Sequence, residues 1–199
     1  MRTTILFIGL ILTGIFLSGC NTTTGYNVRM DATDAAVWEA LREGGKVVLF
    51  RHGEVQRGQG VGDSLVRDDS CVRERNLSAT GRQQFADIGE AFATRDIQVE
   101  QVFVSPLCRT RDSAEIAFGT FEVSEFLSLS EILPESVAHD AALETAELIG
   151  DYEGEGNLVL ITHDPNIVLV TQRSVAYAQA LVLEPQGGPF FKVIGTIAP

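Results

Sequence analysis

Basic residues are scarce in this chain of 199 residues: 15 Lys and Arg stand against 27 Asp and Glu, for a formal net charge of −12. Affinity for a nucleic-acid backbone comes from clustered Lys and Arg that release counterions. We therefore expect no nucleic-acid partner. An anionic small molecule would need a local cationic pocket, so the positions of the few arginines are more informative than their number.

The chain also lacks internal repeats, long low-complexity tracts and Pro/Gly-rich linkers that would divide it. Its 45% hydrophobic and 21% charged residues are typical of a folded globular chain. The sequence thus predicts one domain after the N-terminal segment, and no feature points to a protein partner.

A single long apolar run, residues 5–17, follows the basic start Met1-Arg2 and leads to Leu17-Ser18-Gly19-Cys20. A membrane span needs about 20 apolar residues, and this run is shorter. The segment resembles a bacterial lipoprotein signal, which implies cleavage before Cys20 and lipidation of its thiol.

On that interpretation residues 1–19 are the signal peptide, 20–30 are the lipidated cysteine and a tether, and 31–199 form the domain. The protein would then be lipid-anchored in the cell envelope and face the periplasm, with the membrane contacted through the N-terminal lipid.

The remaining pattern predicts an α/β fold, a three-layer sandwich with a mainly parallel central sheet flanked by helices. Strands are expected at 46–50, 99–104 and 157–162, with a closing hairpin formed by 180–184 and 190–197. Helices are expected around 37–41, over 109–118, and from the segment 77–82 to Phe92. A fourth helix is expected to begin at a cap, Ser136, and to run to Ile149, with Gly150 as its stop signal.

Three predicted strands end in polar groups that can bind an anion. They are followed by Arg51-His52, by Ser105 and soon Arg109, and by His163. Ligands of open α/β sheets bind beyond the carboxyl ends of the strands, so these side chains can converge on one pocket. The chain has three histidines in all, and two of them stand directly after strands; His139 falls in a predicted helix and is expected to be structural or exposed.

Four ordered segments of the sequence resemble the histidine phosphatase superfamily, the phosphoglycerate-mutase-like family, and together cover most of the chain from about 46 to 172. The segments are Leu49-Phe50-Arg51-His52-Gly53-Glu54, Leu77-Ser78-Ala79-Thr80-Gly81-Arg82, Ser105-Pro106-Leu107-Cys108-Arg109-Thr110 and Ile161-Thr162-His163-Asp164. The resemblance implies the family's fold and a phosphohistidine chemistry. It also implies His52 as nucleophile and His163 as a donor to an equatorial phosphoryl oxygen.

The residue types fit this chemistry because a phosphate monoester is a dianion with an electron-poor phosphorus. Arg51 and Arg109 can bind phosphoryl oxygens in bidentate fashion. A neutral imidazole at His52 can attack in line with the leaving oxygen. We expect no cofactor and no metal site.

Two residues compete for the role of the acid that protonates the leaving oxygen. The sequence favours Asp164, because the His163-Asp164 pair looks like the acid-phosphatase branch. Asp164 followed by Pro165 is also typical of a helix start, where the carboxylate would act as a cap. Glu131 is the alternative, since the mutase-like branch carries its acid on a loop after the second arginine. A third alternative is that neither residue acts as the acid, since Leu133-Pro134-Glu135-Ser136 resembles the compact phosphohistidine phosphatases, in which no such acid is needed.

With Cys20 lipidated, Cys71 and Cys108 remain as an even pair in an oxidising compartment. A disulfide between them would hold the loop 55–76 over the site; two free thiols are the alternative. A cysteine-phosphatase loop is excluded, because Leu77 and Ala114 stand where its arginine would be.

An exported protein would meet neither the glycolytic phosphoglycerate pool nor cytosolic phosphohistidine proteins. The combination of signal segment, compact size and motifs therefore favours an envelope phosphomonoesterase with a small phosphorylated substrate. It looks most like the lipopolysaccharide core heptose phosphatase group. A non-catalytic lipoprotein that binds phosphate on the same fold is the competing hypothesis.

Overall fold

The computed structural model describes residues 34–199, so the predicted signal peptide, Cys20 and the tether lie outside the described part. The helices are α1 Asp34–Glu43, α2 Ala79–Thr94, α3 Cys108–Phe118, α4 Glu135–Gly150 and α5 Asp164–Thr171. The strands are β1 Val47–Arg51, β2 Val99–Val104, β3 Glu122–Val123, β4 Asn157–Thr162, β5 Ala180–Pro185 and β6 Phe191–Ile197. Within 34–199, no helix is both long and apolar enough to cross a bilayer.

The strands form one six-stranded sheet in the order β3-β2-β4-β1-β5-β6. The first four in that order pair in parallel, while β5 pairs antiparallel with both β1 and β6. The predicted α/β fold is confirmed, and the sheet is mixed because the C-terminal hairpin extends its parallel half. In this order β1, β4 and β2 are neighbours, which brings their carboxyl ends together.

Alternating side chains of the central strands form two separate apolar layers. Val48 and Phe50 pack with α1, α2 and α3 on one face of the sheet. Val47 and Leu49 pack with α4 and α5 on the other face. The helices thus cover both faces of the sheet, which is the predicted three-layer arrangement.

The predicted cap of α4 was wrong. Pro134 occupies the N-cap position and Ser136 lies inside the first turn, because the fixed φ of proline already suits the residue that precedes a helix. Gly150 is the last helical residue rather than a residue beyond the end. It is a glycine for a packing reason, since a Cβ there would collide with the carbonyl oxygen of Gly188.

The segment that opens α2 packs tightly against the turn after β1. Ser78 is the N-cap of α2 and its hydroxyl accepts a hydrogen bond from the Gly81 amide at 3.0 Å. A Cβ on Gly53 would lie 2.6 Å from the Gly81 carbonyl oxygen, and a Cβ on Gly81 would collide with the backbone of Glu54. Both glycines are therefore required for the backbone to approach this closely beside His52.

Candidate active site

The ends of the three central parallel strands bring His52, Ser105 and His163 close together, and the two histidines line one cavity. Backbone pairing continues beyond the strands: the His52 amide donates to the Thr162 carbonyl at 3.1 Å, and the Ser105 amide donates to the Ile161 carbonyl at 3.0 Å. The two imidazole rings lie with their centroids 5.2 Å apart. The structure thus brings together the strand-end residues that the sequence placed at one site.

His52 presents an unprotonated nitrogen to the cavity. Its Nδ1 lies 2.8 Å from the carbonyl oxygen of Gly53, which can only accept, so Nδ1 carries the proton and Nε2 the lone pair. Burial, followed by the positive charge of Arg109, lowers the pKa of His52 from 6.5 to about 3. His52 is therefore a neutral imidazole at physiological pH, with Nε2 available for attack.

The guanidinium of Arg109 lies between the two histidines. Its Nε donates to His52 Nε2 at 3.3 Å, and its Nη2 donates to the Ser64 carbonyl at 3.1 Å and to His163 Nδ1 at 3.4 Å. Its Nη1 is buried without a hydrogen-bond partner. Burial chiefly lowers the pKa of Arg109 to about 10, so the side chain is still charged at neutral pH.

His163 is fixed by Ser105 on the side away from Arg109. Because Arg109 can only donate to Nδ1, the single proton of the neutral ring lies on Nε2, which donates to Ser105 Oγ at 2.8 Å. Burial, then the neighbouring His52 and Arg109, lower the pKa of His163 well below 6.5. A bound phosphoryl dianion would reverse this balance and favour the protonated ring as a donor.

Arg51 is held in place by the segment 174–177. Its Nη1 donates to the Val175 carbonyl at 2.9 Å, and its Cζ lies 3.8 Å from the centroid of the Tyr177 ring. Its Nε is buried and has no hydrogen-bond partner. Arg51 and Arg109 thus each keep a buried N–H without a protein acceptor, which is the arrangement expected where an anion binds.

Asp164 is not the cap of its own helix. One carboxylate oxygen accepts from the Val175 amide at 2.8 Å, and both accept from the Ser174 hydroxyl at 2.9 and 3.0 Å. These bonds hold the segment that positions Arg51. Glu131, the other candidate acid, is exposed on a 3-10 turn, Ser130–Ile132, and lines the same cavity.

The loop 55–76 is attached to the start of α3 at several points. Cys71 and Cys108 form a disulfide. The buried carboxylate of Glu74 accepts from the Cys108 amide at 2.7 Å, at the N-terminus of the helix that carries Arg109. Because the same loop supplies the Ser64 carbonyl to Arg109, it forms one wall of the site.

Together these residues enclose a cavity of about 180 Å³. The complete lining is Arg51, His52, Val55, Ser64, Leu65, Arg75, Arg109, Leu129, Glu131, His163, Asp164, Pro165 and Tyr177. Sequence reasoning missed Arg75 and Tyr177, because both lie in segments without periodicity or a recognisable motif. His139, which sequence reasoning placed outside the site, is exposed on α4. Arg82, the last residue of the second motif, pairs with Asp112 at 2.8 Å and does not line the cavity.

Among residues 34–199, no group of three or more His, Cys, Asp or Glu side chains could hold a metal ion. The cations at this site are arginines, which stay charged without any bound ion.

Part of the chain matches a known protein-family model. The family model described as the histidine phosphatase superfamily (branch 1) matches residues 47–133. No curated protein sequence matches the chain. The matched range contains β1, the loop 55–76, α2, β2, α3 and Glu131, and so includes Arg51, His52 and Arg109.

Several solved structures share the fold at low sequence identity. The protein histidine phosphatase SixA complexed with tungstate is 16% identical, with a TM-score of 0.55, over 77% of this chain and 97% of that chain. A candidate alpha-ribazole-5'-P phosphatase from Escherichia coli str. K-12 is 11% identical, with a TM-score of 0.57, over 75% and 94%. The open reading frame Rv3214 from Mycobacterium tuberculosis is 20% identical, with a TM-score of 0.53, over 75% and 96%. Residues 47–133 thus match the histidine phosphatase superfamily model, and the chain shares its fold with these structures.

Proposed function

We propose that this chain is a metal-independent phosphomonoester hydrolase that forms a transient phosphohistidine on His52. Its substrate is a small phosphorylated molecule of the cell envelope, with a sugar phosphate as the favoured class. One observation carries the proposal: the unprotonated Nε2 of His52 lies 3.3 Å from Arg109 Nε, beside two buried guanidinium N–H groups that lack acceptors.

The first step is binding of the dianionic phosphoryl group. Arg51 and Arg109 approach the cavity from different elements, and their unpaired Nε and Nη1 groups can donate to separate phosphoryl oxygens. Bound phosphate displaces the donation of Arg109 Nε to His52, which frees the Nε2 lone pair. A protonated His163 adds a further donor as charge develops on the equatorial oxygens.

In the chemical step a bond forms between His52 Nε2 and phosphorus while the bond from phosphorus to the leaving oxygen breaks. The proton stays on Nδ1, which donates to the Gly53 carbonyl, so the phosphorylated ring is stabilised as a cation. The leaving oxygen takes a proton from a carboxylic acid at the cavity mouth. Geometry favours Glu131 for this role, because both oxygens of Asp164 already accept hydrogen bonds.

A water molecule then attacks phosphorus from the side that the leaving group vacated. The bond between nitrogen and phosphorus breaks, inorganic phosphate leaves, and His52 recovers its lone pair. The same carboxylate that protonated the leaving oxygen takes the proton of the water, which returns the site to its starting state.

The proposed cellular setting rests on the N-terminal sequence and on the disulfide. The N-terminal segment resembles a lipoprotein signal, and the pairing of Cys71 with Cys108 is typical of oxidising compartments. Both features support an envelope location, in which cytosolic phosphate esters would not be substrates. The small cavity supports a compact phosphate ester.

The decisive experiment is to trap the intermediate on residues 31–199, purified with an intact disulfide. Incubation with a ³²P-labelled phosphate ester followed by rapid denaturation should give label that is stable to base and labile to acid. His52→Ala should abolish both label and turnover, and His139→Ala serves as the matched control on an exposed histidine. Label that persists in His52→Ala would overturn the assignment, and phosphate binding without any turnover would favour the non-catalytic alternative.

A further inference from the structure

A third arginine, Arg75, reaches the cavity from the loop 55–76 rather than from a strand end. Its Nε and Nη2 both donate to a single acceptor, the Gly62 carbonyl oxygen, at 3.3 Å each. These are long bonds, and the side chain is half-buried at the cavity wall. Nothing in the chemistry described above uses this guanidinium.

Arg75 differs from the other arginines of its loop because it has no carboxylate partner. Arg57, Arg67 and Arg73 each form an ion pair, with Glu54 at 3.5 Å, Glu125 at 2.8 Å and Asp68 at 3.4 Å, respectively. Within the described part of the chain, no carboxylate lies within ion-pair distance of Arg75. In a chain with a net charge of −12, a half-buried arginine left unpaired at a cavity is a feature that needs an explanation.

The two carboxylates on the cavity wall do not supply the missing partner. Asp164 is turned towards Ser174 and Val175. Glu131 lines the cavity on a different element and does not pair with Arg75 within residues 34–199. The positive charge of Arg75 is therefore directed to the cavity and to Arg109, whose pKa it lowers further after the larger effect of burial.

The transferred phosphoryl group does not need this charge. Its position is set by His52 Nε2, and the unpaired donors of Arg51 and Arg109, with His163, already face it. Two guanidinium charges match the two negative charges of a phosphate monoester dianion. Arg75 is thus a surplus cation beside a site that is already complete for one phosphoryl group.

We propose that Arg75 binds a second anionic group, a carboxylate or a further phosphate, carried by the leaving group of the substrate. This inference rests on the proposed function and deepens it by naming a substrate class: compact phosphate esters with a second negative charge a few atoms from the ester oxygen. The cavity of about 180 Å³ is smaller than the roughly 300–1,000 Å³ of typical small-molecule sites, which fits a compact ester.

The test compares three esters that differ in one substituent: ethyl phosphate, 2-phosphoglycolate with its carboxylate, and ethylene glycol bisphosphate with its second phosphate. For each, kcat/KM is measured with the wild type, Arg75→Gln and Arg73→Gln. Arg73 is the matched control because it lies on the same loop, carries the same charge, is exposed and does not line the cavity. The wild type should prefer at least one of the two esters with a second anion over ethyl phosphate.

The expected result is that Arg75→Gln lowers this preference by about ten- to a hundredfold, the range for a charged hydrogen bond, while Arg73→Gln leaves it in place. The ester that Arg75→Gln no longer prefers over ethyl phosphate identifies the bound anion as carboxylate or phosphate. Equal losses on all three esters would place Arg75 on the transferred phosphoryl group and overturn the inference. The inference would also be overturned if the wild type hydrolysed all three esters with equal kcat/KM.

A binding measurement separates this inference from the proposed function. Calorimetry of the three esters with His52→Ala and with His52→Ala/Arg75→Gln needs no turnover. A binding preference for an ester with a second anion that disappears with Arg75 supports the subsite even if the wild type hydrolyses nothing, which would contradict only the proposed function. Equal affinities for the three esters in His52→Ala would overturn the subsite.

Discussion

The Nε–H group of Arg109 donates to Nε2 of His52 at 3.3 Å. A cation beside an imidazole disfavours its protonation, so Arg109 helps to keep the nucleophile neutral before the substrate arrives. The same N–H then becomes available to the phosphoryl group. In the proposed mechanism, Arg109 therefore both keeps His52 neutral and binds the phosphoryl group that His52 attacks.

The low pKa of His52 predicts a specific pH dependence of stability. The unfolded chain has a histidine pKa near 6.5, whereas the folded value is about 3. Between these values the unfolded chain binds a proton that the folded chain excludes. The free energy of unfolding should therefore be highest above pH 6.5 and should fall as the pH drops towards 3, by about 1.4 kcal/mol per pH unit for one histidine.

Urea unfolding of His52→Gln between pH 4 and pH 7 measures this contribution. The slope of unfolding free energy against pH should be smaller than in the wild type by about 1.4 kcal/mol per pH unit, and His163 should account for a similar remaining part. The control is His139→Gln at an exposed position, where the slope should not change. If the unfolding free energy of His52→Gln depended on pH as steeply as that of the wild type, His52 would not be buried as a neutral ring.

The two candidate acids predict opposite patterns with different leaving groups. If Glu131 protonates the leaving oxygen, Glu131→Gln should slow phosphoenzyme formation from alkyl phosphates by about 100-fold or more. It should affect activated aryl phosphates little, because only the former need the proton. Rapid-quench measurement of the phosphoenzyme with one alkyl and one aryl phosphate makes this comparison.

Asp164→Asn should instead affect both kinds of substrate alike. Asp164 holds Ser174 and Val175, and the Val175 carbonyl positions Arg51, so its loss should raise KM through weaker phosphate binding. Ser174→Ala removes one of the same contacts and should reproduce a milder form of the effect. A selective defect with alkyl phosphates in Asp164→Asn would give the acid role to Asp164.

The disulfide between Cys71 and Cys108 should contribute to both stability and activity. It closes a segment of 37 residues, for which loop entropy predicts about 3–4 kcal/mol of unfolding free energy. Denaturant unfolding of the Cys71→Ser/Cys108→Ser protein should show this loss. Phosphate binding should weaken as well, because the loop supplies Ser64 to Arg109.

The matched control for the disulfide is Arg67→Gln, which removes an exposed ion pair between the loop and Glu125. We expect that change to cost less than about 1 kcal/mol. If the double serine variant is as stable and as active as the wild type, the Glu74 contact with α3 is sufficient to fix the loop.

Activity should be unaffected by chelators. Arg51 and Arg109 provide the positive charge that a metal would otherwise supply. Assays of wild-type hydrolysis before and after prolonged treatment with EDTA test this expectation. A loss of activity that a divalent cation restores would contradict the mechanism.

The sequence was sufficient to predict a strand or a site residue where the local residue pattern agrees with the overall fold. The bounds of β2 and β4 were predicted correctly, since Asn157–Thr162 is a buried apolar run and Val99–Val104 ends at a proline turn. The convergence of His52 and His163 followed from the rule that parallel strands share an edge. His52 and His163 directly follow β1 and β4, Arg51 ends β1, and Arg109 lies in the first turn of the helix after β2, so all four were predictable from the strand ends.

What the sequence could not predict depends on contacts between distant loops. Arg75, Glu74 and Tyr177 lie in segments without periodicity, and their positions are decided by partners such as Gly62, Cys108 and Arg51. The hydrogen bonds of Asp164 depend on the same kind of contact. Its carboxylate accepts from Ser174 and Val175, ten and eleven positions further along the chain, and no local pattern indicated these partners.

The hydrogen bond from the His52 amide to the Thr162 carbonyl continues the pairing of β1 with β4 past the last strand residue. His52 is therefore held by the two buried central strands of the sheet, a part of the fold that is expected to open only with the whole domain. Its amide should exchange with deuterium only through global unfolding. Activity and the folded sheet should then be lost at the same denaturant concentration. On heating, activity should likewise be lost at the temperature at which the whole domain unfolds.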